Sequence, residues 1–113
     1  MDTDAALAAH RQELRRGTVV VACLTVLREP NYGYALLEAL DTAGFEVEAN
    51  TLYPLLRRLE TQGLLTSDWN TDEARPRKFY RTTIEGDAMA TTLRADWAAL
   101  TAAITELDEG DRS

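Results

Sequence analysis

The chain has 113 residues, 45% of them hydrophobic, and carries 12 Lys plus Arg against 19 Asp plus Glu, a formal net charge of −7. This length suits one small domain, and a single Cys excludes a disulfide framework or a cysteine-built zinc site. No apolar run reaches the ~18–20 residues that span a bilayer and the N-terminal stretch is acidic, so neither a membrane anchor nor a signal peptide is expected and the expected location is cytoplasmic.

Taken in chain order, Leu14, Val20, Val21, Leu24 and Leu27 recur at the three-and-four spacing of a helical face, and Glu29-Pro30 stops that first helix near Arg28. Residues 2–16 either extend this helix or fray; the pattern leaves both open. Asn31 is placed to cap a second helix with an apolar stripe of Tyr34, Leu37 and Leu40, and Gly44 to end it in a left-handed turn. A third helix fits residues 49–62, stopped by Gly63. On it Leu52, Leu55, Leu56 and Leu59 share one side, Asn50, Pro54, Arg57 and Arg58 the other, and Thr51 and Tyr53 the edges. No acid falls on that outer face before Glu60.

Residues 64–69 and 77–82, joined by a turn-rich 70–76, read as a β-hairpin. In its second strand Lys78, Tyr80 and Thr82 alternate with Arg77, Phe79 and Arg81, so one face packs an aromatic ring and the other presents cations. Thr82 and Glu85 have capping-box spacing for a last helix. In that helix Met89 or Ala90, Leu93, Trp97, Leu100, Ile104 and Leu107 follow in alternating steps of four and three, a 3.5-residue repeat that lies along another helix. This is a dimer seam by pattern, with Ala98, Ala99, Ala102 and Ala103 allowing close approach. Asp108 to Ser113 form a polar tail expected to fray.

The order α-α-α-β-β-α is that of a mainly α fold with a small β-hairpin: a winged helix-turn-helix with an added C-terminal dimerisation helix. Residues 1–82 would be the winged-helix DNA-binding domain and residues 83–113 the dimerisation helix and tail, in one compact unit. In this architecture the third helix enters the major groove of double-stranded DNA, where base edges are distinguishable. Asn50 and Thr51 then bond bases or phosphates, Tyr53 a phosphate, and Arg57 or Arg58 guanine or phosphate, with Arg75, Arg77 and Lys78 against the flanking backbone or minor groove. The charge distribution agrees, since residues 50–82 hold six basic and four acidic side chains and are the positive third of an acidic chain.

The same residues resemble the PadR-type transcriptional regulators over most of the chain. NYGYALLEAL at 31–40 and TLYPLLRRLETQGLL at 51–65 look like that family's second helix and recognition helix, and RPRKFYRTT at 75–83, followed by Gly86, like its wing strand and the entry to its dimerisation helix. The resemblance implies a homodimeric repressor of a palindromic operator, released by a small molecule, with DNA contacts at Thr51, Tyr53, Arg57 and the wing cations and nothing catalytic. The chain departs from the family pattern at Asp72, Glu73 and Ala74, where acids at the wing tip are expected to keep it off the phosphates, and at Thr82, which replaces a leucine.

Several residues carry a plain reading beside a sharper one. Trp97 is either core of the dimer seam or, paired across a two-fold axis, a wall for a flat aromatic effector. Cys23 reads as a small core residue, His10 as surface, Pro54 as tolerated near a helix start, and Trp69 as a hydrophobic anchor. Without a glycine-rich phosphate loop, nucleophile elbow or metal-ligand spacing, no enzyme, metal or cofactor is expected. The alternative to a DNA regulator is a winged-helix protein-interaction module without DNA binding, with which the net charge and the acidic wing tip are compatible.

Overall fold

A first helix much longer than its apolar stripe, α1 (Thr3–Val26), opens the fold in the computed structural model, which describes residues 2–72 and 74–110. Residues 2–16 thus extend it. The Asp2 carboxylate caps the first turn by accepting from the Asp4 N–H at 3.0 Å, and the alanine-rich stretch that follows has high helix propensity. Burial is confined to the far half, where Val19, Cys23, Leu24 and the following Leu27 enter the core, while Leu7 and Leu14 stay exposed.

The next turn departs from the sequence pattern. Asn31 and Tyr32 form a short strand, β1, instead of a helix cap, and the Asn31 side chain accepts from the neighbouring Tyr32 N–H at 2.9 Å. Helix α2 (Gly33–Thr42) therefore starts later, with Tyr32 at its cap position and no side-chain cap bond. Its buried face is Gly33, Leu36 and Leu40, so Tyr34 lies outside, 53% exposed, rather than on the apolar stripe. The end is as expected: Gly44 adopts φ +100°, and the Phe45 N–H reaches back to the Leu40 carbonyl at 2.8 Å.

Helix α3 (Ala49–Thr61) buries Leu52, Leu55, Leu56 and Leu59, the four leucines of its stripe. Gly63, at φ +77°, ends it, and the Leu64 N–H bonds the Leu59 carbonyl at 2.9 Å. Strands β2 (Leu65–Asn70) and β3 (Arg77–Thr82) pair antiparallel, and β1 adds to the other edge of β3 in the order β1-β3-β2. The wing is therefore a three-stranded sheet rather than a bare hairpin. Leu65, Tyr80 and Thr82 face the core. Of the wing-tip acids, Asp72 is exposed and Glu73 lies outside the described residues.

Helix α4 (Ile84–Gly110) is capped by Thr83, one residue later than the spacing suggests. The Thr83 hydroxyl accepts from the Gly86 N–H at 3.0 Å and donates to the Gly63 carbonyl at 2.7 Å, fastening α4 to the end of α3. Thr82 cannot serve as cap because its hydroxyl turns inward and donates to the Leu24 carbonyl at 2.7 Å. That bond is what makes a buried threonine tolerable where the family pattern has leucine. Helix α4 continues through Asp108 to Gly110 instead of fraying at Asp108; residues 111–113 lie outside the described residues. None of the described helices is long and apolar enough to cross a membrane.

Cys23 is buried in the core, and desolvation pushes its thiol up to about 12 from a usual 9.0. The thiol is neutral in both states below pH ~8, and above that only the unfolded chain ionises, so stability falls as pH rises from about 9 toward 12. Cys23 is expected to resist a thiol reagent at pH 8 in the native protein and to react fully in denaturant. Rapid labelling of the native protein would show that the core opens there.

Candidate nucleic-acid interface

Because the leucine stripe of α3 is buried, its opposite face is the exposed one, carrying Asn50 and Thr51 in the first turn and Arg57 and Arg58 one to two turns on. Pro54 is exposed on the same side and offers no N–H to the Asn50 carbonyl. Tyr53, by contrast, is half-buried against the start of α2. A Cβ at Gly33 would come within 2.6 Å of the Tyr53 ring, so this glycine is what lets the ring seat there.

Glu60 carries the only carboxylate on α3, and it is engaged. It accepts a hydrogen bond from the Ser67 hydroxyl of β2 and lies 3.6 Å from Lys78 Nζ of β3. Helix α3 and the wing are thereby tied through one side chain. Lys78 shares the strand face of Tyr80, whose ring centroid is 5.4 Å away, and its charge is turned toward the protein. Of the three wing cations expected at DNA it is the least available. Arg75 is exposed in the loop, and Arg77 reaches the opposite face, where its guanidinium carbon lies 4.7 Å from the Tyr32 ring centroid and 5.8 Å from that of Tyr34. Trp69 is not an anchor: at this register the wing projects past the core and the indole is 61% exposed.

Sequence reasoning missed Glu60, Tyr32 and Tyr34 as parts of this surface. The face alternation in β3 already separated Arg77 from Lys78, but which face meets α3 depends on how the sheet packs.

Helix α4 presents the second surface. Leu93 is half-buried, whereas Trp97 is 46%, Leu100 61%, Ile104 67% and Leu107 73% exposed. Leu93, Trp97 and Leu100 also line an apolar groove of about 750 Å³ against Leu14 and Val21 of α1 and Phe45 after α2. His10 is exposed, and the described residues contain no cluster of His, Cys, Asp or Glu placed to hold a metal.

Residues 23–92 match the model of the transcriptional regulator PadR-like family. The chain belongs to that family. A PadR family transcriptional regulator from Eggerthella lenta has the same fold, with a TM-score of 0.87 and 49% identity over 92% of this chain and 93% of that one. A PadR-like transcription factor from Bacteroides fragilis aligns with a TM-score of 0.73 and 30% identity over 88% of this chain and 98% of its own. The transcriptional regulator Rv3488 of Mycobacterium tuberculosis is 42% identical over 60 residues, 53% of this chain and 56% of that protein, so this match takes in little more than half of either. The four helices and small antiparallel sheet are thus a PadR winged-helix fold, and the chain is a PadR-like transcriptional regulator, a family whose macromolecular partner is DNA.

Proposed function

We propose that this PadR-like regulator is a homodimeric repressor of a palindromic operator, reading one half-site with each copy of α3. The observation that carries the reading is the division of α3 into a buried leucine stripe and an exposed face of Asn50, Thr51, Arg57 and Arg58, its one carboxylate being engaged by the wing. Arg57 and Arg58 supply the guanidinium forks that suit guanine or phosphate, Asn50 and Thr51 shorter polar contacts, and Arg75 and Arg77 the flanking cations. Lys78 is a minor contributor.

Dimerisation falls to α4. A row of large apolar side chains at heptad spacing is normally covered in a soluble protein, and Leu7 and Leu14 of α1, seven residues apart, extend the same apolar character. A second copy supports both ends of the problem: its α4 covers Trp97, Leu100, Ile104 and Leu107, and its symmetry places two copies of α3 about one DNA turn, ~34 Å, apart. On this reading residues 1–82 bind DNA and residues 83–113 hold the dimer. Two Trp97 indoles facing each other across the axis would form walls for a small aromatic effector, which would release the operator by favouring a dimer geometry whose α3 spacing does not match it. A cytoplasmic setting fits a protein that works on DNA.

The test is selection from a random duplex pool at moderate salt, with Arg57→Ala in parallel. The wild-type chain is expected to enrich an inverted repeat, and Arg57→Ala to bind that duplex at least about tenfold more weakly while keeping its oligomeric state. Equal binding by the variant would remove Arg57 from the interface. No enrichment by a well-folded chain would favour a protein-interaction module in place of a DNA reader.

A further inference from the structure

Glu60 follows Arg57 by three residues on α3, a spacing that puts the two side chains within reach of one another on the helix surface. A carboxylate there attracts the guanidinium and competes with any other anion for it. Yet Arg57 is exposed and makes no ion pair among the described residues, because the Glu60 carboxylate is taken up elsewhere, one oxygen by each strand of the wing hairpin. Its Oε2 accepts from the Ser67 hydroxyl of β2, and its Oε1 lies 3.6 Å from Lys78 Nζ of β3. Lys78 is seated in turn: its ammonium is 5.4 Å from the ring centroid of Tyr80, a residue that is itself buried, and the Lys78 and Glu60 side chains are each 33% exposed. A lysine meant for phosphates would stand clear of the protein, as Arg75 does in the loop.

We infer that Lys78 is a positioning residue: with Ser67 it occupies both oxygens of the Glu60 carboxylate and so keeps Arg57, one turn earlier on α3, unpaired for DNA; this rests on the DNA-reading proposal above. The competition favours the wing. Within a helix the order of cation before acid is the weaker arrangement of such a pair, whereas Lys78 reaches Glu60 from a strand fixed in place by the sheet. A neutral Lys78–Glu60 pair also leaves the potential over this end of α3 to Arg57 and Arg58. The acid has its own reason to be there, since one carboxylate can hold Ser67 and an ammonium at once and so join α3 to both strands. Lys78 thus acts on DNA binding without touching DNA, which is why its charge faces the protein.

The experiment measures affinity for the duplex enriched by the wild-type chain when Lys78→Met is made alone, in the Glu60→Gln background and in the Arg57→Ala background. Methionine keeps an apolar stem against Tyr80 and removes the ammonium; Lys78→Gln is read beside it, and circular dichroism follows the fold of each variant. Lys78→Met alone should weaken binding about fivefold, as the freed carboxylate turns to Arg57. With Glu60→Gln there is no carboxylate to release, and with Arg57→Ala no guanidinium to capture, so in either background the same change should cost less than about twofold. A cost undiminished by Glu60→Gln would make Lys78 a direct phosphate contact, and one undiminished by Arg57→Ala would make its effect independent of Arg57. Either result, or full affinity of Lys78→Met on its own, overturns the inference while leaving DNA reading intact. Failure of the wild-type chain to enrich any duplex would overturn the DNA-reading proposal itself.

Discussion

Alanine in place of Gly86 is expected to destabilise the protein more than any other single-methyl addition among its glycines. A Cβ at this position would stand 2.0 Å from the Leu64 carbonyl oxygen and 2.9 Å from the Thr82 methyl. The obstacle is backbone, not a side chain that can swing away, and the same carbonyl accepts from the Thr83 N–H at 3.1 Å. To make room, α4 must lift from the α3–β2 turn, straining the Thr83 bonds to Gly63 and Gly86 as it goes. Overpacking against fixed backbone costs about 3 kcal/mol, the upper end of its usual range. For a domain of this size that is a fall in Tm on the order of 15 °C, measured at fixed protein concentration. A shift of only a few degrees would mean that α4 docks less tightly than its cap geometry indicates.

Leu100→Asp is expected to break the proposed dimer and, through it, DNA binding. Leu100 lies midway along the exposed apolar row of α4 and also lines the groove between α1, α2 and α4, so any partner helix seated there must cover it. A carboxylate placed in that contact loses its water without gaining a cation, a cost of several kcal/mol for each copy. Light scattering at micromolar concentration should then give the mass of a single chain. Because Leu100 is 61% exposed within one chain, the fold itself should survive, and helical circular dichroism should show that it does. Operator affinity should drop by at least about a hundredfold, since two linked half-sites become two separate weak ones. A variant that remains dimeric would move the subunit contact off this row.

Where a long periodic stripe decides an element, the sequence was readable. The four leucines of α3 announced which face is inside, and hence which polar residues are outside; Gly44 and Gly63 announced both helix ends. Short elements were not readable in the same way. A strand of two residues has no period, so the local pattern makes Asn31 a cap and puts Tyr34 on the inner face of α2, and neither holds in the fold. Capping-box spacing points to Thr82 for α4, and only its inward hydrogen bond, which no local pattern encodes, hands the cap to Thr83. The start of α1 lacks a stripe within its own chain because little of it is buried there. The surface around α3 was legible as a set of cations but not as a set of partners. Glu60 and Lys78 are 18 residues apart, Tyr32 and Arg77 are 45, and nothing local pairs them.

The anchoring of α4 at one end makes the helix a lever. Its first turns are fixed by Thr83 and Gly86, whereas from Ala95 to Gly110 every residue is exposed. At 1.5 Å per residue the 27-residue helix is about 40 Å long. The body holds α4 as far as Arg94, so a tilt of about 5° there moves the far end, about 24 Å away, by about 2 Å. In the proposed dimer the relation also runs backwards: a small sliding of two such arms at their free ends turns the bodies they are bolted to. Since Glu60 ties the wing to α3, that rotation moves the two as one piece.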